Sequence, residues 1–139
     1  MDNQTYTIRD LSQKYNLPAS TLRYYEDMGL LTNVIHTEKG ARIYTQEHIE
    51  RLEGILCFKG TGLPIAKIQE YYRYETNIEA HIEEIVTMMQ EQEQGILKQM
   101  EDLQSGLDHI RQKIYYYNLV KDARDKGEKI PTWAEVFHK

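Results

Sequence analysis

Residues 18–31 read PASTLRYYEDMGLL, and they place Ser20, Thr21, Arg23, Tyr24 and Tyr25 within less than two helical turns. Leu22, Tyr25 and Met28 give this segment one apolar side, and Gly29 supplies a helix stop. Upstream, Thr7-Ile8-Arg9-Asp10 has the hydroxyl-x-x-acid form of a capping box, after which Ile8, Leu11 and Tyr15 recur at helical spacing to about Asn16. Two short helices joined by the turn NLPA predict a helix-turn-helix.

Downstream the pattern changes. Val34 and Ile35 precede HTEKGA, and Ile43 and Tyr44 follow it, so β-formers flank a glycine-containing turn and predict a hairpin. Thr45 is placed to cap a third helix carrying Ile49, Leu52, Ile55 and Leu56 on one face, and a fourth helix begins at Pro64. Beyond it, apolar residues at 78, 82, 85, 89, 96, 100, 103, 107, 110, 114 and 117 are spaced by threes and fours, with Gln92 in the one gap. This predicts a helix of about forty residues, on the order of 60 Å long. A stripe of that length exceeds what so small a chain can cover, and its simplest partner is a second copy.

Charge bears on how two copies pair. Residues 79–96 carry five acids and no Lys or Arg, whereas 97–121 carry four bases against three acids. Antiparallel pairing sets acid against base; parallel pairing sets acid against acid. The division also explains the net charge of −5. Residues 1–74 hold nine bases and nine acids, so the whole excess of acid lies in the C-terminal half, and the N-terminal half can accept a polyanion.

A 139-residue chain with 40% hydrophobic and 28% charged residues has the composition of a folded protein. Its apolar runs are too short for a membrane span, and MDNQTYTIRD lacks the basic and apolar regions of a signal peptide, which predicts a cytoplasmic location. One cysteine, Cys57, permits no internal disulfide, and five histidines without ligand spacing predict no metal centre and no cofactor. Paired catalytic groups are missing, so an enzyme is not expected.

The string TLRYYEDMGLL, then RIYTQEHIERLEGI, a Gly-Leu pair with a fourth helix, and the long apolar stripe together resemble the MerR family of bacterial transcription regulators over about residues 5–118. The resemblance implies a mostly α fold. A winged helix-turn-helix head would span residues 1–75, a dimerisation helix forming an antiparallel coiled coil 76–118, and a short effector or tail segment 119–139. It implies a homodimer on a near-palindromic promoter with an overlong spacer, which the activated dimer bends and untwists for RNA polymerase. On the same ground Ser20, Thr21, Arg23 and Tyr24 face double-stranded DNA from the second helix, and Lys39 and Arg42 act from the hairpin. Tyr25 and Tyr44 are DNA contacts or core. Arg23 has the alternative of a surface pair with Glu26 or Asp27. Family members often begin the second and fourth helices with Ser or Thr; Pro18 and Pro64 stand here instead and offer no side-chain acceptor.

Two readings of the effector stand. Cys57 occupies the place where aldehyde- and thiol-stress-responsive members carry a reactive cysteine; against it, a cysteine near a helix C-terminus faces the negative dipole end and would need a base such as Lys59 nearby. A buried inert cysteine is the other possibility for that residue. The second reading is a small organic ligand held by Tyr71, Tyr72, Tyr74, Tyr115, Tyr116, Tyr117 and Trp133, with Phe137 in the same tail, where Thr132-x-x-Glu135 caps a short final helix, unless those rings only pack the structure. An architectural DNA-binding protein is a third possibility.

Overall fold

The computed structural model describes residues 4–138. Its elements run α1 (Ile8–Tyr15), α2 (Ala19–Asp27), β1 (Ile35–His36), β2 (Arg42–Ile43), α3 (Gln46–Gly60), α4 (Ile65–Glu75), α5 (Ile78–Asp125) and α6 (Trp133–Phe137). They form two compact units, residues 1–92 and 93–139. The boundary falls inside α5, because its first turns, as far as Gln92, pack onto the head.

In the first unit, α1 opens on the expected capping box. Asp10 N–H donates to Thr7 Oγ1 at 3.0 Å and Thr7 N–H to Asp10 Oδ2 at 2.8 Å. Asn16 ends the helix in the left-handed region, with φ 52°. Pro18 starts α2 with no side-chain cap, as its chemistry requires. At the other end Gly29 takes φ +77°, and the N–H groups of Leu30 and Leu31 both return to Tyr25 O. That reversal drives both leucines into a core with Leu11, Leu22, Tyr25, Tyr44, Ile49, Leu52, Ile55, Leu63, Ile68 and Tyr72. Truncating a buried leucine of this kind to Ala costs roughly 2–5 kcal/mol.

The hairpin pairs Ile35 with Ile43 and His36 with Arg42, antiparallel, across a turn in which Gly40 takes φ +81°. Tyr6 and Tyr44 exchange N–H···O bonds of 2.8 and 2.9 Å, so the N-terminal segment lies against the far side of the wing. Sequence spacing gave no sign of this bridge. Thr45 stands at the start of α3, and its N–H donates to His48 Nδ1 at 2.9 Å while His48 Nε2 reaches Thr32 O at 2.8 Å. A backbone donor at one nitrogen and a carbonyl at the other specify the Nε2–H tautomer. The imidazole, 4% exposed, thereby fastens the end of the α2 reversal to the start of α3.

Helix α4 lies against α3, where Phe58, Tyr71 and Tyr72 meet edge to face and the Arg51 guanidinium sits 4.0 Å above the Tyr72 ring. Gly54 makes the approach possible: a Cβ there would stand 3.0 Å from Tyr72 Oη. Tyr72 is thus a core residue, and burial pushes its phenol up to about 12 against a partial offset from Arg51.

α5 is longer than the apolar spacing suggested, 48 residues, and its backbone leaves the helical region at His81 (φ −124°, ψ 17°). The His81 ring stacks on Tyr74 there, with centroids 4.8 Å apart. Gln92, expected within the apolar stripe, instead donates from Nε2 to Thr61 O and Thr61 Oγ1 at 3.1 and 2.8 Å, so it faces the head.

The second unit holds the rest of α5 and α6. After Asp125 the chain reverses at Gly127 (φ +70°), with Glu128 N–H bonded to Ala123 O at 2.8 Å. Thr132 and Glu135 cap α6, as their spacing predicts. Trp133 meets Tyr116 and Phe137, Tyr115 meets Phe137, and Tyr116 Oη donates to Pro131 O at 2.8 Å. The stripe along this part of α5 is open to solvent: Met100, Leu103, Ile110, Ile114 and Tyr117 are all more than half exposed.

Candidate nucleic-acid interface and effector surfaces

At 100° per residue, Arg23, Ser20 and Tyr24 occupy one arc of α2, while Leu22 and Tyr25 point the other way into the core. Ser20, Arg23 and Tyr24 are exposed, Thr21 is half-buried, and Tyr24 shows 45% of its surface. Arg23 forms no ion pair among the described residues. The surface pair with Glu26 that sequence allowed is therefore not formed, because Glu26 is engaged elsewhere.

Glu26 lies on the flank of α2 that faces the hairpin. Arg42 Nε donates to its Oε2 at 2.7 Å, and His36 Nε2 lies 2.6 Å from its Oε1. His36 and Arg42 are opposite one another in the hairpin register, so a single carboxylate spans both strands. Burial raises the Glu26 carboxyl, but the hydrogen bonds from Arg42 and His36 outweigh it and hold the group below its ordinary value. The bond from Glu26 in turn raises Arg42, against a smaller effect of burial. Sequence offers Glu26 only as a surface partner for Arg23 and does not single out His36. The register that sets His36 opposite Arg42, one face of the hairpin turned to an acid on α2, was the available signal.

Lys39 is exposed at the hairpin tip, where Thr37 N–H donates to Ala41 O at 2.8 Å and Ala41 N–H to Thr37 Oγ1 at 3.1 Å. Ser20, Arg23 and Tyr24 thus share the exposed arc of α2, and Arg42 is tied to the flank of the same helix through Glu26. Two of the expected DNA contacts need correction. Tyr25 and Tyr44 are each 0% exposed and have no surface to offer a duplex. Tyr25 Oη accepts from Lys59 Nζ at 3.3 Å, and Tyr44 packs edge-on to His48. Tyr44 Oη is buried without a hydrogen-bond partner, and its phenol is pushed up by burial first and by Glu26 second, with Arg42 and Arg23 offsetting part of the rise.

Cys57 is exposed on α3, so it is not core filler within the chain. Lys59, the base expected to support its thiolate, turns to Tyr25, whose ring it also covers at 5.6 Å. Of the tyrosines, Tyr71 and Tyr72 are committed to packing in the head. Tyr74 donates to Glu70 Oε1 at 2.7 Å and lines a groove of about 590 Å³ with Leu63, Met88, Glu83, Glu84 and Glu91. Tyr115, Tyr116, Tyr117 and Trp133 belong to the second unit, where Lys113 Nζ lies 5.3 Å from the Trp133 ring centre. Among the described residues no helix is long and apolar enough to cross a membrane.

A family model described as MerR HTH family regulatory protein matches residues 6–75. An uncharacterised HTH-type transcriptional regulator of Haemophilus influenzae is 30% identical over 117 residues, covering 84% of this chain and 87% of its own length. The HTH-type transcriptional regulator AdhR of Bacillus subtilis is 31% identical over 91 residues, 66% of this chain and 65% of that protein. Among solved structures, HiNmlR, a MerR family regulator lacking the sensor domain and bound to promoter DNA, superposes with TM-score 0.76 at 29% identity, covering 90% of this chain and 97% of that one.

Proposed function

The chain belongs to the MerR family of helix-turn-helix regulatory proteins, and from that premise we propose that it works in the cytoplasm as a homodimer. In this reading it distorts a promoter for RNA polymerase and responds to electrophile, aldehyde or thiol stress through Cys57. The observation that carries the DNA-facing part is the exposed arc of Ser20, Arg23 and Tyr24, whose arginine forms no ion pair among the described residues. Phosphate contacts from Arg23, Tyr24 and Lys39 set register and salt dependence, and base-edge contacts from the start of α2 set sequence. Dimerisation is supported by the solvent-open stripe of Met100, Leu103, Ile110, Ile114 and Tyr117, which would leave a large apolar patch on a monomer. Residues 79–96, with five acids and no Lys or Arg, set against residues 97–121, with four bases and three acids, favour the antiparallel arrangement.

Sensing by Cys57 rests on its exposure, which an electrophile needs. A thiolate attacking an aldehyde or quinone carbon forms one S–C bond, and the electrophile's oxygen takes up the proton. The adduct adds bulk on α3 and reorients the heads on a promoter already bound, so energy goes into DNA shape more than affinity.

A second reading is favoured by the groove beside Tyr74. Leu63 and Met88 line it together with Glu83, Glu84 and Glu91, whose negative charge outweighs the positive charge of Lys67 and suits a cationic organic molecule. The substitution Cys57→Ser separates the two. Operator binding should be unchanged, and transcription under aldehyde or quinone stress should no longer rise. A Ser variant that responds fully transfers the role to the groove, where Tyr74→Ala should then abolish the response.

A further inference from the structure

An acidic residue on the flank of a DNA-facing helix is an electrostatic liability, since it repels the phosphates its neighbours must meet. Glu26 stands in that position, about one turn from Arg23. Its geometry resolves the contradiction. A carboxylate facing an arginine alone takes two guanidinium nitrogens in a fork. Here the fork is split: Oε2 accepts from Arg42 Nε at 2.7 Å, and Oε1 is taken by His36 Nε2 at 2.6 Å. Nε is the one Arg42 nitrogen with a hydrogen bond among the described residues, which leaves Nη1 and Nη2 with their four N–H groups unspent. The side chain is only 22% exposed and is fixed at Nε, so its guanidinium has few rotamers left to lose.

We infer that Glu26 is a positioning residue for DNA binding, fixing Arg42 through Nε so that Nη1 and Nη2 donate to a backbone phosphate, and locking the hairpin to the recognition helix through His36. The inference rests on the reading that α2 and the hairpin face DNA. It adds that an acid there strengthens binding. Arg42 meets the phosphate pre-ordered, and the order comes from a carboxylate whose charge the guanidinium already neutralises. Asp27, on the same helix, also acts on Arg42 electrostatically but forms no bond to it, so it has no part in the orientation.

The two models differ in sign. If Glu26 acts only as a charge, Glu26→Gln removes a repulsion and operator binding tightens. If Glu26 positions Arg42, binding weakens, on the order of tenfold for a lost charge-assisted phosphate contact. The slope of log affinity against log salt also flattens by about 0.9 for each protomer. The probe is a duplex that the wild-type protein selects from a random-sequence pool, followed by fluorescence anisotropy across a salt series. Arg42→Ala should show the same loss, and the double variant no further loss. Glu26→Asp keeps the charge and withdraws the carboxylate by one carbon. It should weaken binding too, which a charge-only role would not produce. Thermal melting verifies that each variant is folded, and the Asp variant stands in if the Gln variant is not. Glu26→Gln or Glu26→Asp binding as wild type or tighter, with an unchanged slope, overturns the inference. Failure of the wild-type protein to select any duplex refutes the underlying DNA-facing reading instead.

Discussion

Gln92 Nε2 donates to both oxygens of Thr61, at 3.1 Å to the carbonyl and 2.8 Å to the hydroxyl, and so ties the first part of α5 to the C-terminal end of α3. The bond assigns Gln92 to the head and not to the seam between two copies. Replacing it by Leu leaves the Thr61 acceptors without that donor and should lower stability by about 1 kcal/mol in chemical denaturation. Self-association should not change. A Gln92→Leu variant that dimerises more tightly would return the residue to the apolar stripe.

Leu103 and Ile110 are 74% and 52% exposed on one face of α5. Changing both to Glu places charge at the centre of the proposed coiled coil, where burying an unpaired charge is strongly unfavourable. Sedimentation should then report a 16.5 kDa species in place of a dimer, with helicity of the head retained. A dimer that survives the double change does not use this stripe. Orientation has its own test: with Cys57 changed to Ser, a cysteine replacing Glu83 should fail to crosslink to its own copy, whereas efficient crosslinking indicates parallel helices.

The Glu26 carboxyl is held below its ordinary value in the folded chain, with burial opposed and overcome by Arg42 and His36. A depressed folded-state value stabilises the protein above the unfolded-state pKa of about 4.3 and ceases to do so as pH falls through the folded value. Wild type should therefore exceed Glu26→Gln in stability above about pH 5, and the margin should close as pH falls further. A margin that stays constant through that acid range would mean that the carboxylate is not held by its two partners.

What could be read from the chain was local. Thr7 and Asp10, Gly29, Gly40, and Thr132 with Glu135 declare their caps and turns within four residues, and each stands where its spacing put it. The misses depend on residues far apart in sequence. Tyr6 pairs with Tyr44 through backbone atoms, which carry no side-chain signature. Tyr25 and Tyr44 share the composition of a DNA-facing tyrosine, and only the assembled core turns them inward. The seam at Glu26 joins residues ten and sixteen positions apart and becomes visible once the hairpin register sets His36 beside Arg42. The departure at His81 has no proline or glycine to announce it; its ring is stacked on Tyr74. The extension of α5 to Asp125 was missed because the apolar spacing stops at Tyr117 while the backbone stays helical to the reversal at Gly127.

The central claim is that the exposed arc of α2 binds a duplex through Arg23, and affinity measured over a salt series with wild type and Arg23→Ala tests it most directly. With DNA from upstream of the chain's own gene, the account predicts saturable binding of one dimer whose affinity falls steeply with salt. Arg23→Ala should bind more weakly, with a salt slope flatter by about 0.9 for each protomer, or, if Arg23 reads a base, lose about 1–3 kcal/mol of discrimination at one position of the site. An Arg23→Ala protein that is folded, dimeric, and unchanged in affinity, slope and sequence preference would contradict it.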